Sequence, residues 1–130
     1  MGNILSPKGF LQIGGIILVL VGVLGFFLIG PTEEQSILGA AWWFDTYENW
    51  AHVVLGIVAL VAAYGLKDAA MQKGLVMIVG IVALLVGIWG FFSPSLLGAN
   101  LENPLDNILH LVVGAWGILA SMKKPAVTTV

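Results

Sequence analysis

Four long apolar stretches, at about residues 9–30, 46–66, 73–93 and 104–122, alternate with short polar connections. Each is close to the roughly 20 residues an α-helix needs to cross about 30 Å of hydrocarbon. Strands do not fit the pattern: there is no ten-residue dyad alternation, and an open sheet edge in lipid leaves backbone groups without partners. The pattern predicts an all-α chain, a polytopic membrane four-helix bundle. Asp45-x-x-Glu48 and Asn103-x-x-Asp106 each read as an N-cap with an acid three residues on, a relative of the capping box. Pro104 then falls at the first helical position, where its missing N–H is not needed. Phe91-Phe92-Ser93-Pro94 closes the third span, with proline as the stop.

The pattern also repeats. Residues 47–60 and 105–118 match at a shift of 58, pairing Asn49 with Asn107, His52 with His110 and Gly56 with Gly114. Residues 9–27 and 74–92 match at a shift of 65, through Gly15/Gly80, Gly22/Gly87, Gly25/Gly90, Phe26/Phe91 and Phe27/Phe92 among others. The offset changes because the first connection is longer, although both contain Leu-Gly-Ala (Leu38–Ala40 and Leu97–Ala99). A fixed-period self-match marks an internal repeat. The units are 1–66 (spans 9–30 and 46–66) and 67–130 (spans 73–93 and 104–122), each a transmembrane hairpin. An even number of crossings separates the copies, so they have the same orientation, as in parallel repeats about an axis along the membrane normal. His52 and His110 are then expected at one depth, facing each other across that axis.

Composition agrees with the membrane. The chain is 59% hydrophobic and 9% charged with a mean hydropathy of +1.03, against about 25% charged in soluble domains. Used this way, its 130 residues are expected to leave no soluble domain. Cysteine is absent, which excludes disulfides, thiolate catalysis and Fe–S ligation. Charge placement says more than the net charge of −2. Lys8, Lys67, Lys73, Lys123 and Lys124 lie at the chain ends and in the middle connection, while Glu33, Glu34, Asp45, Glu48, Glu102 and Asp106 lie in or beside the other two connections. The positive-inside rule puts both termini in the cytoplasm and the acidic connections outside, where Trp42, Trp43 and Trp50 suit an aromatic belt. The first span is too long for a signal peptide, lacks a small-residue cleavage site and has an internal copy, so it is expected to be retained. The start MGNILS fits a myristoylation pattern, though one acyl chain adds little to four spans.

Candidate chemistry centres on the two histidines. About seven residues into its helix, each lies roughly 10 Å below the outer end. Asn49, His52, Gly56, Ala59 and Ala63 share one helical stripe, as do Asn107, His110, Gly114, Gly117 and Ser121. Beyond the histidines the stripes hold small residues, which let membrane helices approach closely. Ionisable groups in spans point to function, and four readings follow. The histidines hydrogen-bond to Asn or to a carbonyl and tie the hairpins together, with Asn107 and Asn49 as partners across the axis. Alternatively they are axial ligands of haem b or a chlorophyll-type pigment, with Gly56 and Gly114 clearing room for the ring. A metal held by His52, His110, Glu48 and Asp106 is the third reading, and a proton relay the fourth. The long connection 31–48 reads as an interfacial turn or short helix, or as a partner's docking surface. Its lack of lysine argues against anionic head groups.

The spacing Asn-x-x-His-x-x-x-Gly near the start of the second and fourth spans resembles a family of small bacterial four-helix membrane proteins of unknown function. That resemblance implies a bacterial inner or photosynthetic membrane and supplies no activity. The repeats with Ser93-Pro94 also look like small bacterial two-helix repeat proteins, except that Ser95 stands where tryptophan usually follows. The expected function is that of a non-enzymatic structural or accessory subunit of a larger membrane complex. Its expected partners are lipids and other membrane subunits or its own copies, not nucleic acid. Tetrapyrrole binding for electron transfer or light harvesting is the alternative. A channel or transporter needs a polar lining, and below the histidines the spans offer only Gln12, Tyr64 and Ser121.

Overall fold

A computed structural model describes residues 1–124 of the chain; the end of the second predicted unit, 125–130, lies outside them. Helix α1 spans Pro7–Phe27, α2 Thr46–Gly65, α3 Ala69–Gly90 and α4 Leu105–Met122. Each is long and apolar enough to cross a bilayer. Leu20, Leu55, Val61, Ile78, Leu85, Val112 and Leu119 are exposed along them, a surface suited to lipid rather than water. The architecture fits a multi-pass membrane protein.

Local signals set the helix ends. Ser6 caps α1, its Oγ accepting from the Gly9 N–H at 3.0 Å, and Pro7 occupies the first helical position. Asp45 caps α2 as the sequence predicts, with Oδ1 accepting from Glu48 N–H at 2.8 Å. Helix α3 starts four residues earlier than its hydropathy suggests, because Asp68 accepts from the N–H groups of Ala70 and Met71. Its polar first turns carry Gln72, whose Nε2 donates to Leu66 O at 2.7 Å and joins α2 to α3. The α4 start differs from expectation. Pro104, not Asn103, is the cap residue and makes no side-chain cap bond. Asp106 instead reaches back from the first turn, its Oδ2 accepting from Glu102 N–H at 2.8 Å.

The two connections at the acidic end differ in kind. The first holds two short 3₁₀ turns, Glu33–Gln35 and Gly39–Ala41, and returns through a buried Phe44 whose N–H donates to Ile29 O at 2.8 Å. The second is a small ribbon in which β1 (Ser95–Leu96) pairs antiparallel with β2 (Ala99–Asn100). Its turn residues, Leu97 (φ 51°) and Gly98 (φ 88°), are both left-handed, as a two-residue hairpin turn requires. One tripeptide, Leu-Gly-Ala, thus serves a 3₁₀ turn in one connection and a hairpin in the other.

Helix α1 packs along α2, and α3 along α4; between these hairpins α1 makes slighter contact with α3 and α4. The apolar core that all four helices share lies at the lysine end: Phe10, Leu11, Ala62, Ala63, Val76 and Ala120. Phe10 meets the Trp116 ring edge-on at 4.5 Å, and the Trp116 indole N–H donates to Ile4 O at 2.7 Å. The polar groups of this half are satisfied locally. Buried Gln12 accepts from the Gly2 N–H, and Ser121 Oγ donates to Ile118 O.

Candidate functional site: the carboxylate–imidazole end

The opposite end of the bundle gathers Asp45, Glu48, Asn49 and His52 at the start of α2 with Asp106, Asn107 and His110 at the start of α4. The close packing of each hairpin fixes the asparagines. Asn49 is fully buried with its side-chain amide against Gly25, so close that a methyl group on Gly25 would displace it. Asn107 is seated in the same way on Gly90. These glycines are therefore small for a particular reason: an amide from the neighbouring helix occupies the space a side chain would need.

The remaining stripe positions are filled in the same way. A Cβ on Gly56 would come within 2.7 Å of Gly15 O and of the Val19 side chain, and one on Gly114 within 2.6 Å of the Leu84 side chain. Gly117 meets Gly80. The space one turn beyond each histidine is thus taken by α1 in one hairpin and by α3 in the other.

Both histidines are half-buried, yet they differ. His110 Nδ1 lies 2.7 Å from the Asp106 backbone oxygen. A carbonyl only accepts, so Nδ1 carries the proton and, in the neutral ring, Nε2 keeps its lone pair. His52 Nδ1 has no partner, and its ring meets Phe44 edge-on at 5.3 Å. The expected Asn–His hydrogen bonds across the axis are not formed. His110 takes a carbonyl of its own helix, and Asn49 Nδ2 donates to Phe44 O at 3.3 Å, because both asparagines point into their own hairpins.

Two other residues tie the hairpins together. Trp42 Nε1 donates to Asp106 Oδ1 at 2.7 Å, and the Asn100 N–H donates to Asp45 Oδ2 at 2.6 Å. Each carboxylate thus serves its own helix start or connection with one oxygen and the other hairpin's connection with the second. The sequence assigns Trp42 only to an interfacial belt and says nothing of Asn100. The available hint is that Trp42 belongs to the longer connection, which has no tryptophan counterpart in the second.

Several polar atoms here stay unpartnered: both carboxylate oxygens of Glu48, Asn49 Oδ1, both amide atoms of Asn107 and His52 Nδ1. Glu48 is 5% exposed, so its carboxylate is well removed from solvent. Among the described residues no three His, Asp or Glu side chains converge to hold a metal ion, so His52, His110, Glu48 and Asp106 do not form such a set.

Comparison of the chain with protein-family models, with curated proteins and with solved structures finds no match.

Proposed function

We propose that this is a small non-enzymatic integral membrane protein: two parallel hairpin repeats with both ends cytoplasmic, serving as a structural or accessory subunit of a larger membrane complex. One observation carries the reading. The small-residue stripes are filled inside the bundle and the Asp45 and Asp106 carboxylates bond across its connections, while the faces the spans turn outward are mainly apolar. Below the histidines, Gln12, Gln72 and Ser121 are locally bonded and Tyr64 is exposed, so the described residues form no polar track along the spans. What the molecule offers its surroundings is lateral surface.

The test is cross-linking in native membranes. Photoreactive residues at exposed Val54 and Val112 are expected to give discrete protein adducts, either another subunit or a second copy. Adducts to lipid alone at both positions would reject a subunit role. Orientation is tested separately with Glu34→Cys and Lys67→Cys and an impermeant thiol reagent on intact cells. Labelling at 34 and protection at 67 is expected, and the reverse overturns the topology.

One observation supports the tetrapyrrole reading, and it concerns His110. A ligating histidine usually donates its other ring N–H to a carbonyl or carboxylate, which orients the ring and raises its basicity. His110 has that arrangement, with Nε2 left as the free donor atom. The filled space at Gly114 weighs on the other side, since a ring there has to displace Leu84. A visible absorption band lost in His110→Ala but kept in His52→Ala would establish ligation through His110. A colourless preparation made in cells that supply haem removes this reading and leaves the first standing.

A further inference from the structure

At the lysine end three chain segments border an open hollow of about 270 Å³ lined by Asn3, Ser6 and Lys8, by Gln72 and Lys73, and by Lys123 and Lys124. Four of the chain's five lysines meet there, and among the described residues the lining contains no carboxylate. The nearest acid in the chain, Asp68, is engaged in capping α3. The N-termini of α1 and α3 both lie at this end, so the positive poles of two helices add to the charge of the lysines. Gln72 is held as a fixed wall by its bonds to Leu66 O and Ala63 O, and Lys8 is held 6.0 Å from the Tyr64 ring centroid.

Four lysines bordering one hollow, with no carboxylate among its described lining residues, give it a net positive charge that favours an anion. A hollow of that volume holds several water molecules and has room for a phosphate group. Basic pockets between helix ends at a membrane surface are suited to phospholipid head groups. Apolar residues stand next in the chain to its lining: exposed Ile4 and Leu5 beside Asn3 and Ser6, Met71 beside Gln72, and Met122 beside Lys123. Such a border suits acyl chains continuing down the bundle from a head group held among the lysines.

We infer that this cavity is a binding site for a phosphate-bearing anion, positioned to take the head group of an anionic phospholipid. The site is independent of the histidine end and of the subunit role proposed above.

The test uses the full chain in a mild neutral detergent, titrated separately with phosphatidylglycerol, phosphatidylcholine and inorganic phosphate. Bound lipid is followed by native mass spectrometry, and competition by adding phosphate to the phosphatidylglycerol complex. Phosphatidylglycerol is expected to bind more tightly than phosphatidylcholine. Lys73→Gln and Lys123→Gln should each weaken it roughly five-fold, the effect of one lysine beside an anionic surface. Lys67→Gln, at the same end but outside the cavity, should leave it unchanged. If phosphate competes, the site reads the phosphate alone and takes soluble anions as well; if it does not, the source is the lipid. Equal binding of the two lipids overturns the proposal. So does a Lys67→Gln effect as large as that of Lys73→Gln, which would mean diffuse surface charge.

Discussion

Glu48-Asn49-x-x-His52 and Asp106-Asn107-x-x-His110 are nearly the same words at the same place in two helices, yet they differ in their partners. The second is well connected: Asp106 accepts from Trp42 and Glu102, and His110 donates to the Asp106 carbonyl. In the first, neither carboxylate oxygen of Glu48 nor His52 Nδ1 has a partner. The asparagines between them are seated alike, each on a glycine of the preceding helix, although only Asn49 has a hydrogen bond, to the Phe44 carbonyl, and both amide atoms of Asn107 have none. Whatever depends on the hairpin's own packing is therefore the same in both halves. Whatever depends on the connections is not, because only the first connection has tryptophans to offer and the Trp42 indole goes to the other hairpin.

That contrast yields predictions in descending size. Gly25→Ala and Gly90→Ala should be the most damaging and equally so, each lowering stability by about 1–3 kcal/mol through overpacking against an asparagine. Unfolding by denaturing detergent measures this, and a clearly milder effect at one glycine would break the likeness of the two seats. The acids should separate the halves. Asp106→Asn leaves two donors, the Trp42 indole and the Glu102 N–H, facing one remaining acceptor, and should cost about 1–3 kcal/mol. Glu48→Gln removes a buried carboxylate that has no donor and should be neutral or stabilising in the same assay. Equal losses would mean that Glu48 has partners after all. Trp42→Phe keeps the edge contact with Phe44 while losing the bond to Asp106, for a loss of about 1 kcal/mol. The smallest effect is expected at the histidines: about 0.6 kcal/mol for His110→Ala, the average for hydrogen bonds within membrane bundles, and less for His52→Ala. A larger loss at His52 would reverse the ranking.

Much of this fold is legible in the sequence. The four helices fall within a few residues of the hydropathy stretches, and Asp45 caps α2 as its spacing with Glu48 indicates. Two boundaries were misread because side-chain chemistry outweighed hydropathy. Asp68 starts α3 among polar residues, and at α4 Asp106 does from within the helix what Asn103 was expected to do from outside it. The candidate site was legible in membership only. Spacing brings Asn49, His52, Asn107 and His110 to one end, but which groups bond depends on where two unlike connections lay Trp42 and Asn100. No periodicity encodes that. The lysine cavity was half visible: the charges could be assigned to one side, but their closure around one hollow depends on the arrangement of three chain segments.

The reciprocal ties also bear on how the molecule is made. The packing of α1 on α2 uses residues present once Gly65 has been synthesised. Trp42 and Asp45, however, find their partners only 64 and 55 positions later in the chain. The first hairpin, made first, is therefore expected to enter the bilayer with an indole N–H and a carboxylate oxygen still hydrated, and the second to replace that water on arrival. The expected order is insertion first and joining last, with Trp42 as the receiving contact. Residues 1–66 and 67–130 expressed as separate chains should accordingly insert and copurify, and Trp42→Phe in the first should weaken their association. Insertion of 1–66 only when the second chain is present would show that the hairpins assemble together instead.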